Sequence, residues 1–197
     1  MNLWLFGTPA VPCYYRSNVA VAFELTDGTT SIDLEIQNFI SNNLFTYPGN
    51  HYHLGGPNDN KTTIALVPYP TSSAQKPWMA YGNATTTDEM IQDFIVFNED
   101  AKDPPRISDA FEMISQLEYH GDPGFVILVA NVEDYAKKAQ DSANILIANG
   151  YQIITVAFKT DDGFDELSSN PSYNFRIDHD QDQRIVSVLI SNVLSEF

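Results

Sequence analysis

Basic residues are scarce in this chain. Ten lysines and arginines face 26 aspartates and glutamates, giving a net charge of −16 over 197 residues. Nucleic acid requires a basic footprint and an anionic membrane surface repels such a charge, so neither is expected as a partner. Cysteine occurs once, at Cys13, which excludes an internal disulfide. No apolar run approaches the ~18 residues of a membrane-spanning helix, and no membrane insertion is expected. Met1 to Pro12 is apolar but has no basic segment ahead of it, and Gly7, Pro9 and Pro12 interrupt it. It reads poorly as a secretory leader. Gly-x-Ser-x-Gly, phosphate-loop and dinucleotide fingerprints are missing, as are internal repeats and low-complexity tracts.

What remains is a globular composition. The chain is 43% hydrophobic and 12% aromatic, enough to build a full core in one domain of ordinary size. Val19 to Thr26 is an almost unbroken apolar run that predicts a buried strand. Ile32, Ile36, Phe39 and Ile40 follow at helical spacing. A Gly-, Pro- and Asn-rich loop covers Tyr47 to Lys61, and Thr62 to Tyr69 predicts a second strand stopped by Pro68 and Pro70. Trp78 to Tyr81 reads as a short edge strand. Thr86 and Glu89 form a capping-box pattern before a helix over 87–97.

An acidic loop, Asn98 to Arg106, precedes a helix marked by Ile107, Ala110, Phe111, Ile114 and Leu117. Phe125 to Ala130 is the most apolar strand and is expected at the sheet centre. A helix carrying Ala139, Ala143, Leu146 and Ile147 should stop at Asn149-Gly150. Tyr151 to Phe158 is a strand, Phe164 and Leu167 suggest a short helix, Tyr173 to Ile177 is a last strand, and Ile185 to Leu194 is a closing helix. Continuous apolar strands alternating with amphipathic helices imply an α/β fold. The sheet is doubly wound and mostly parallel, with helices on both faces and one antiparallel edge strand. Residues 1–18 are read as an N-terminal segment and 19–197 as a single domain.

The stretch Phe23 to Ile32, F-E-L-T-D-G-T-T-S-I, carries the most chemistry. Asp27, Thr29 and Ser31 follow the first strand, where open α/β sheets place ligands. Their oxygens suit a hard cation such as Mg²⁺. Asp27-Gly28-Thr29 also matches the second half of the Asp-x-Asp-Gly-Thr motif of haloacid dehalogenase-type phosphatases. The nucleophile position there is Leu25, which has no nucleophilic atom, and Glu24 points to the opposite strand face.

The chain resembles a von Willebrand factor type A domain over roughly residues 12–197. The family's Asp-x-Ser-x-Ser corresponds to Asp27-Gly28-Thr29-Thr30-Ser31. Thr62 to Tyr69 matches its second strand. Phe125-Val-Ile-Leu-Val-Ala-Asn131 matches the strand that ordinarily ends Thr-Asp-Gly, and Leu146 to Ala157 matches the helix–Gly–strand segment. Pro12-Cys13 and Ser17-Asn18-Val19 resemble the entry to such domains in secreted invertebrate proteins that also carry C-type lectin domains. The resemblance implies a Rossmann-like sandwich, an extracellular setting and a metal-ion-dependent adhesion site above the sheet. It also implies that Cys13 would pair with a cysteine near the C-terminus, which this chain does not contain.

The implied site is eroded. Asp27 and Ser31 match, Thr29 replaces a serine, Asn131 replaces the last aspartate, and Pro105 or Arg106 falls where a threonine ligand is expected. One formal charge among neutral oxygens repays little of a cation's dehydration. The expectation is a non-catalytic, adhesion-type domain with a degenerate site, no required cofactor and at most weakly held Mg²⁺. The partner is a protein or glycoprotein. Asp100, Asp103, Arg106 and Glu133 are expected in the ligand-binding loops. The alternatives are a working Mg²⁺-dependent adhesion domain and, against Leu25, a Mg²⁺-dependent hydrolase. His51-Tyr52-His53 lacks a third ligand and reads as a polar loop. The acidic cluster Asp178, Asp180 and Asp182 reads as helix N-terminal charge, and Asp161-Asp162-Gly163 reads as a turn. Tyr14, Tyr15, Trp78 and Phe164 are candidate recognition aromatics or core residues.

Overall fold

A computed structural model describes residues 17–25, 32–45, 54–56, 59, 61–69, 79–96, 106–117, 124–131, 136–161 and 163–197. Five strands form one sheet: β1 (Asn18–Glu24), β2 (Thr63–Tyr69), β3 (Gly124–Ala130), β4 (Tyr151–Phe158) and β5 (Asn174–Ile177). Their spatial order is β2-β1-β3-β4-β5, every neighbouring pair is parallel, and β3 occupies the centre. The helices are α1 (Asp33–Asn38), α2 (Thr87–Val96), α3 (Ile107–Ser115), α4 (Ala136–Ala148) and α5 (Asp180–Leu194).

Strand alternation sorts the core into two layers. Val19, Val21, Phe23, Phe125, Ile127, Val129 and Phe158 face α1 and α5, whose Ile36, Val186 and Ile190 cover them. Ala20, Ala22, Val126, Leu128 and Ala130 face α3 and α4, which contribute Phe111, Ile114, Ala143 and Leu146. Both faces are therefore buried, which is why β1, β2 and β3 read as continuous apolar runs.

Two sequence expectations are corrected at the β2 edge. Pro68 does not stop the strand; it lies inside β2, opposite Phe23. Leu66 exchanges both backbone hydrogen bonds with Met79 (3.0 Å each) on the outer edge. Pro68, two residues on, presents its missing N–H to that same outer edge, where it costs no bond to β1. Among the described residues, the antiparallel edge strand expected at Trp78 to Tyr81 is reduced to the single Leu66–Met79 bridge. Pro68 supplies no donor to extend the ladder one way. Gly82, with φ of 76°, turns the chain away on the other. Trp78 itself lies outside the described residues.

The helix ends follow their local signals. Thr86 Oγ accepts the Glu89 N–H at 3.2 Å, while the Glu89 carboxylate accepts from the Thr85 N–H and hydroxyl (2.7 and 2.9 Å). The Thr85 backbone bond, first among these contacts, lowers the Glu89 pKa. α4 ends at Gly150, whose φ is +93° and whose N–H bonds the Ile147 carbonyl at 3.0 Å. A Cβ there would meet no atom within 4 Å. Gly150→Ala is therefore expected to cost only the left-handed backbone penalty, about 1–2 kcal/mol, read from a denaturant midpoint with unchanged m-value.

One element has no sequence signal. α1 continues directly into a π turn, Phe39–Leu44, with Phe39, Ile40, Ser41 and Leu44 buried. Its i→i+5 ladder brings Asn38 and Asn43 to one side, where the Asn43 amide donates toward the Asn38 carbonyl at 3.5 Å.

Candidate functional site

The sheet order reverses direction between β1 and β3. From β1 the chain turns to α1 on one face, and from β3 it turns to α4 on the other. Such divergence opens a crevice above the carboxyl ends of the two strands, the usual ligand position in doubly wound sheets. Glu24 and Leu25 end one lip, and Ala130 and Asn131 end the other. Asp27, Thr29 and Ser31 belong to the segment after β1, Glu133 to the segment after β3, and Asp100 and Asp103 to the segment before α3. All six lie outside the described residues, as do Pro105, His51 and His53. Asn131 and Arg106 are the two that can be placed.

Asn131 acts as a clamp between strands. Its side-chain nitrogen donates to the carbonyls of Phe158 (2.8 Å) and Lys159 (3.2 Å) at the end of β4. Its backbone N–H donates to the Glu24 carboxyl oxygen at 2.9 Å. Both amide protons are thus committed, and the side-chain oxygen, a neutral ligand, is what Asn131 can offer a cation. Glu24 is fully buried at the end of β1. A buried carboxylate is costly unless bonded, and the Asn131 N–H is one of its partners. Burial, and then the nearby Glu24 charge, push the Tyr69 phenol well above its ordinary range. That phenol makes a long contact, 3.5 Å, to the Val129 carbonyl.

Lys159 closes this end of the sheet. It has a positive φ of 52°, uncommon for a residue with a Cβ. Three anchors hold it there: its N–H donates to the Ile177 carbonyl at 2.7 Å, its own carbonyl accepts from Asn131, and its ammonium pairs with Glu35 of α1. Arg106 is the N-cap of α3, exposed, with its guanidinium 3.9 Å from Asp109 one turn on.

Other candidates resolve into structural roles. Asp182 accepts from the backbone N–H groups of His179 (2.8 Å) and Asp178 (3.2 Å), capping α5. Arg176 pairs with Asp178 at 2.8 Å and with Asp161, and the Asp178 bond leads in raising its pKa. Phe164 is buried in the α3–α4 layer. Sequence reasoning did not assign Glu24 or Lys159 to the site. Glu24 was visible as the one charge in an apolar strand run, whereas nothing around Lys159 announced its backbone conformation.

No family model and no curated protein sequence matches the chain. Solved structures do match. Proximal thread matrix protein 1 from the mussel byssus superimposes with a TM-score of 0.72 at 14% identity, over 92% of this chain and 47% of that one. The pilus adhesin SpaC from Lactobacillus rhamnosus GG gives 0.69 at 8% identity, over 92% and 30%. A von Willebrand factor type A protein from Catenulispora acidiphila gives 0.58 at 8% identity, over 90% and 42%. The fold is that of a von Willebrand factor type A domain. This chain spans about half the length of the mussel protein (47%). One structure of that mussel protein has zinc in its metal-ion-dependent adhesion motif. Among the described residues, no three His, Cys, Asp or Glu side chains converge as a metal-binding group, and no helix is long and apolar enough to cross a membrane.

Proposed function

We propose that this chain is a non-catalytic, extracellular interaction domain that binds a protein or glycoprotein through the loops at the carboxyl end of its sheet. Its metal-ion-dependent adhesion site is degenerate. The observation that carries this reading is the commitment of both Asn131 amide protons to the β4 carbonyls. A ligand that ordinarily brings charge is here a neutral strand clamp, and Asp27 remains the one formal anion among the candidate ligands. Hard divalent cations gain most of their affinity from charged oxygens. The likeness to a byssus matrix protein and a pilus adhesin supports an adhesive role outside the cell.

Calorimetric titration of Mg²⁺ and Mn²⁺ into the protein and into Asp27→Ala tests this. The expected result is no binding isotherm in either up to about the millimolar range of weak extracellular cation sites. Binding that disappears in Asp27→Ala would instead establish the alternative, a working cation-dependent adhesion domain. Asp27, Thr29, Ser31 and the Asn131 side-chain oxygen would then be its ligands, and the zinc-bearing mussel relative favours that alternative. Catalysis is not expected, because Leu25 stands where a phosphatase-type nucleophile would be.

A further inference from the structure

Ahead of α2 the chain makes a short turn that carries the tripeptide Asn83-Ala84-Thr85. Asn-x-Thr is the acceptor pattern for N-linked glycosylation, provided that the middle residue is not proline. Three Asn-x-Ser/Thr tripeptides occur in the chain. Asn170-Pro171-Ser172 is blocked by its proline, and Asn60 of Asn60-Lys61-Thr62 lies outside the described residues. Asn83 is exposed, whereas Ala84 beside it is buried and ties the turn to the core. The Asn83 N–H donates to the Ala80 carbonyl at 3.2 Å, and Gly82 supplies the left-handed residue of the turn. A bulky, hydrated group fits at such a position without displacing the core. The Leu66–Met79 bridge is antiparallel, so the chain after Met79 runs back toward the amino end of β2, away from the crevice. Asn83 is four residues beyond Met79, hence within about 14 Å of it. β2 is a terminal strand of the sheet, and such edges template unwanted pairing unless they are screened.

We propose that Asn83 is an N-glycan acceptor, and that its glycan screens the β2 edge while leaving the crevice open. The inference rests on the extracellular reading above, because the transfer takes place in the lumen of the secretory pathway. The donor is an oligosaccharide carried on a lipid pyrophosphate. The Asn83 side-chain nitrogen attacks the anomeric carbon, and the bond from that carbon to the pyrophosphate oxygen breaks. An amide proton passes to a base of the transferase, and the lipid pyrophosphate leaves. The Thr85 hydroxyl is the second element that the transferase reads. In the folded chain that hydroxyl donates to the Glu89 carboxylate at 2.9 Å, and the Thr85 N–H donates to the same oxygen at 2.7 Å. Both bonds need α2 in place, so the transfer belongs to the entering, unfolded chain. The finished cap then holds the turn with its glycan in solvent.

The test is expression of the full chain behind a secretory leader in insect cells, with the medium and the membrane-enclosed fraction both analysed. Peptide N-glycosidase in heavy-oxygen water converts each glycosylated asparagine to a labelled aspartate, which mass spectrometry locates. Label is expected at Asn83 and not at Asn170. Thr85→Ser keeps the hydroxyl and should keep the label, whereas Thr85→Val should abolish it. Asn83→Gln replaces an exposed side chain and is expected to fold. At equal concentration and on warming, the glycosylated chain should aggregate more slowly than Asn83→Gln. Lumenal chain without label at Asn83, label that persists in Thr85→Val, or equal aggregation rates would overturn the proposal. The leader is supplied, so failure at Asn83 counts against this proposal alone. Whether the chain is exported from its own cells is the separate check on the extracellular reading.

Discussion

Phe158→Ala is expected to lower unfolding stability by about 3–5 kcal/mol, the range for emptying a fully buried phenylalanine site. Phe158 is the last residue of β4 and is completely buried. Its ring lies 6.1 Å from the ring of Phe39, centroid to centroid and tilted at 50°, an arrangement that adds roughly 0.5–1.5 kcal/mol beyond burial. Phe39 opens the π turn, so the pair fastens the sheet to that turn. The backbone carbonyl of Phe158 meanwhile accepts the Asn131 amide. Guanidinium unfolding checks the expectation through a lowered midpoint with an unchanged m-value. A loss below about 1 kcal/mol would mean that the layer around Phe39 collapses into the space and is not tightly packed. A double-mutant cycle with Phe39→Ala should show coupling of about 1 kcal/mol.

Asn131→Asp restores the residue type that the type A resemblance leads one to expect, yet it should destabilise this chain by about 2 kcal/mol at neutral pH. The substitution removes two donors and turns a carboxylate toward the Phe158 and Lys159 carbonyls, 2.8 and 3.2 Å from the present nitrogen. It also adds negative charge beside the buried Glu24 carboxyl bonded to the Asn131 N–H. Repulsion raises the folded-state pKa of the new acid above its unfolded value. Its penalty is therefore absent at pH below the unfolded pKa and grows as pH rises through that region. Acidification should narrow the gap to the parent protein. Added Mg²⁺ is expected to restore little of the loss. Full recovery with Mg²⁺ would sink the degenerate-site reading and favour a crevice able to hold a cation.

The layer order was legible because burial on both faces leaves a direct trace, an unbroken apolar run, in β1, β2 and β3. Gly150 was legible as a helix end because a positive φ has a strong residue preference. Pro68 was misread as a terminator. Whether a missing N–H matters depends on which edge it faces, and that is settled only when β1 takes the other edge of β2. Glu24 was visible as a charge, but its partner stands 107 residues away. The π turn left no trace, because Ile36, Phe39 and Ile40 fit an ordinary helical stripe.

By itself the sequence determined the α/β architecture, the net charge of −16, and the position of an Asp-Thr-Ser segment after the first strand. These follow from local periodicity, composition and chain order. Tertiary structure decided what Asn131, Glu24, Lys159 and Gln183 do. Each is defined by a partner on another element: β4 for Asn131, β3 for Glu24, α1 for Lys159 and the π turn for Gln183. A hydrogen bond between residues distant in sequence constrains neither residue's neighbours, so it leaves no local pattern and exists only once the strands are in register.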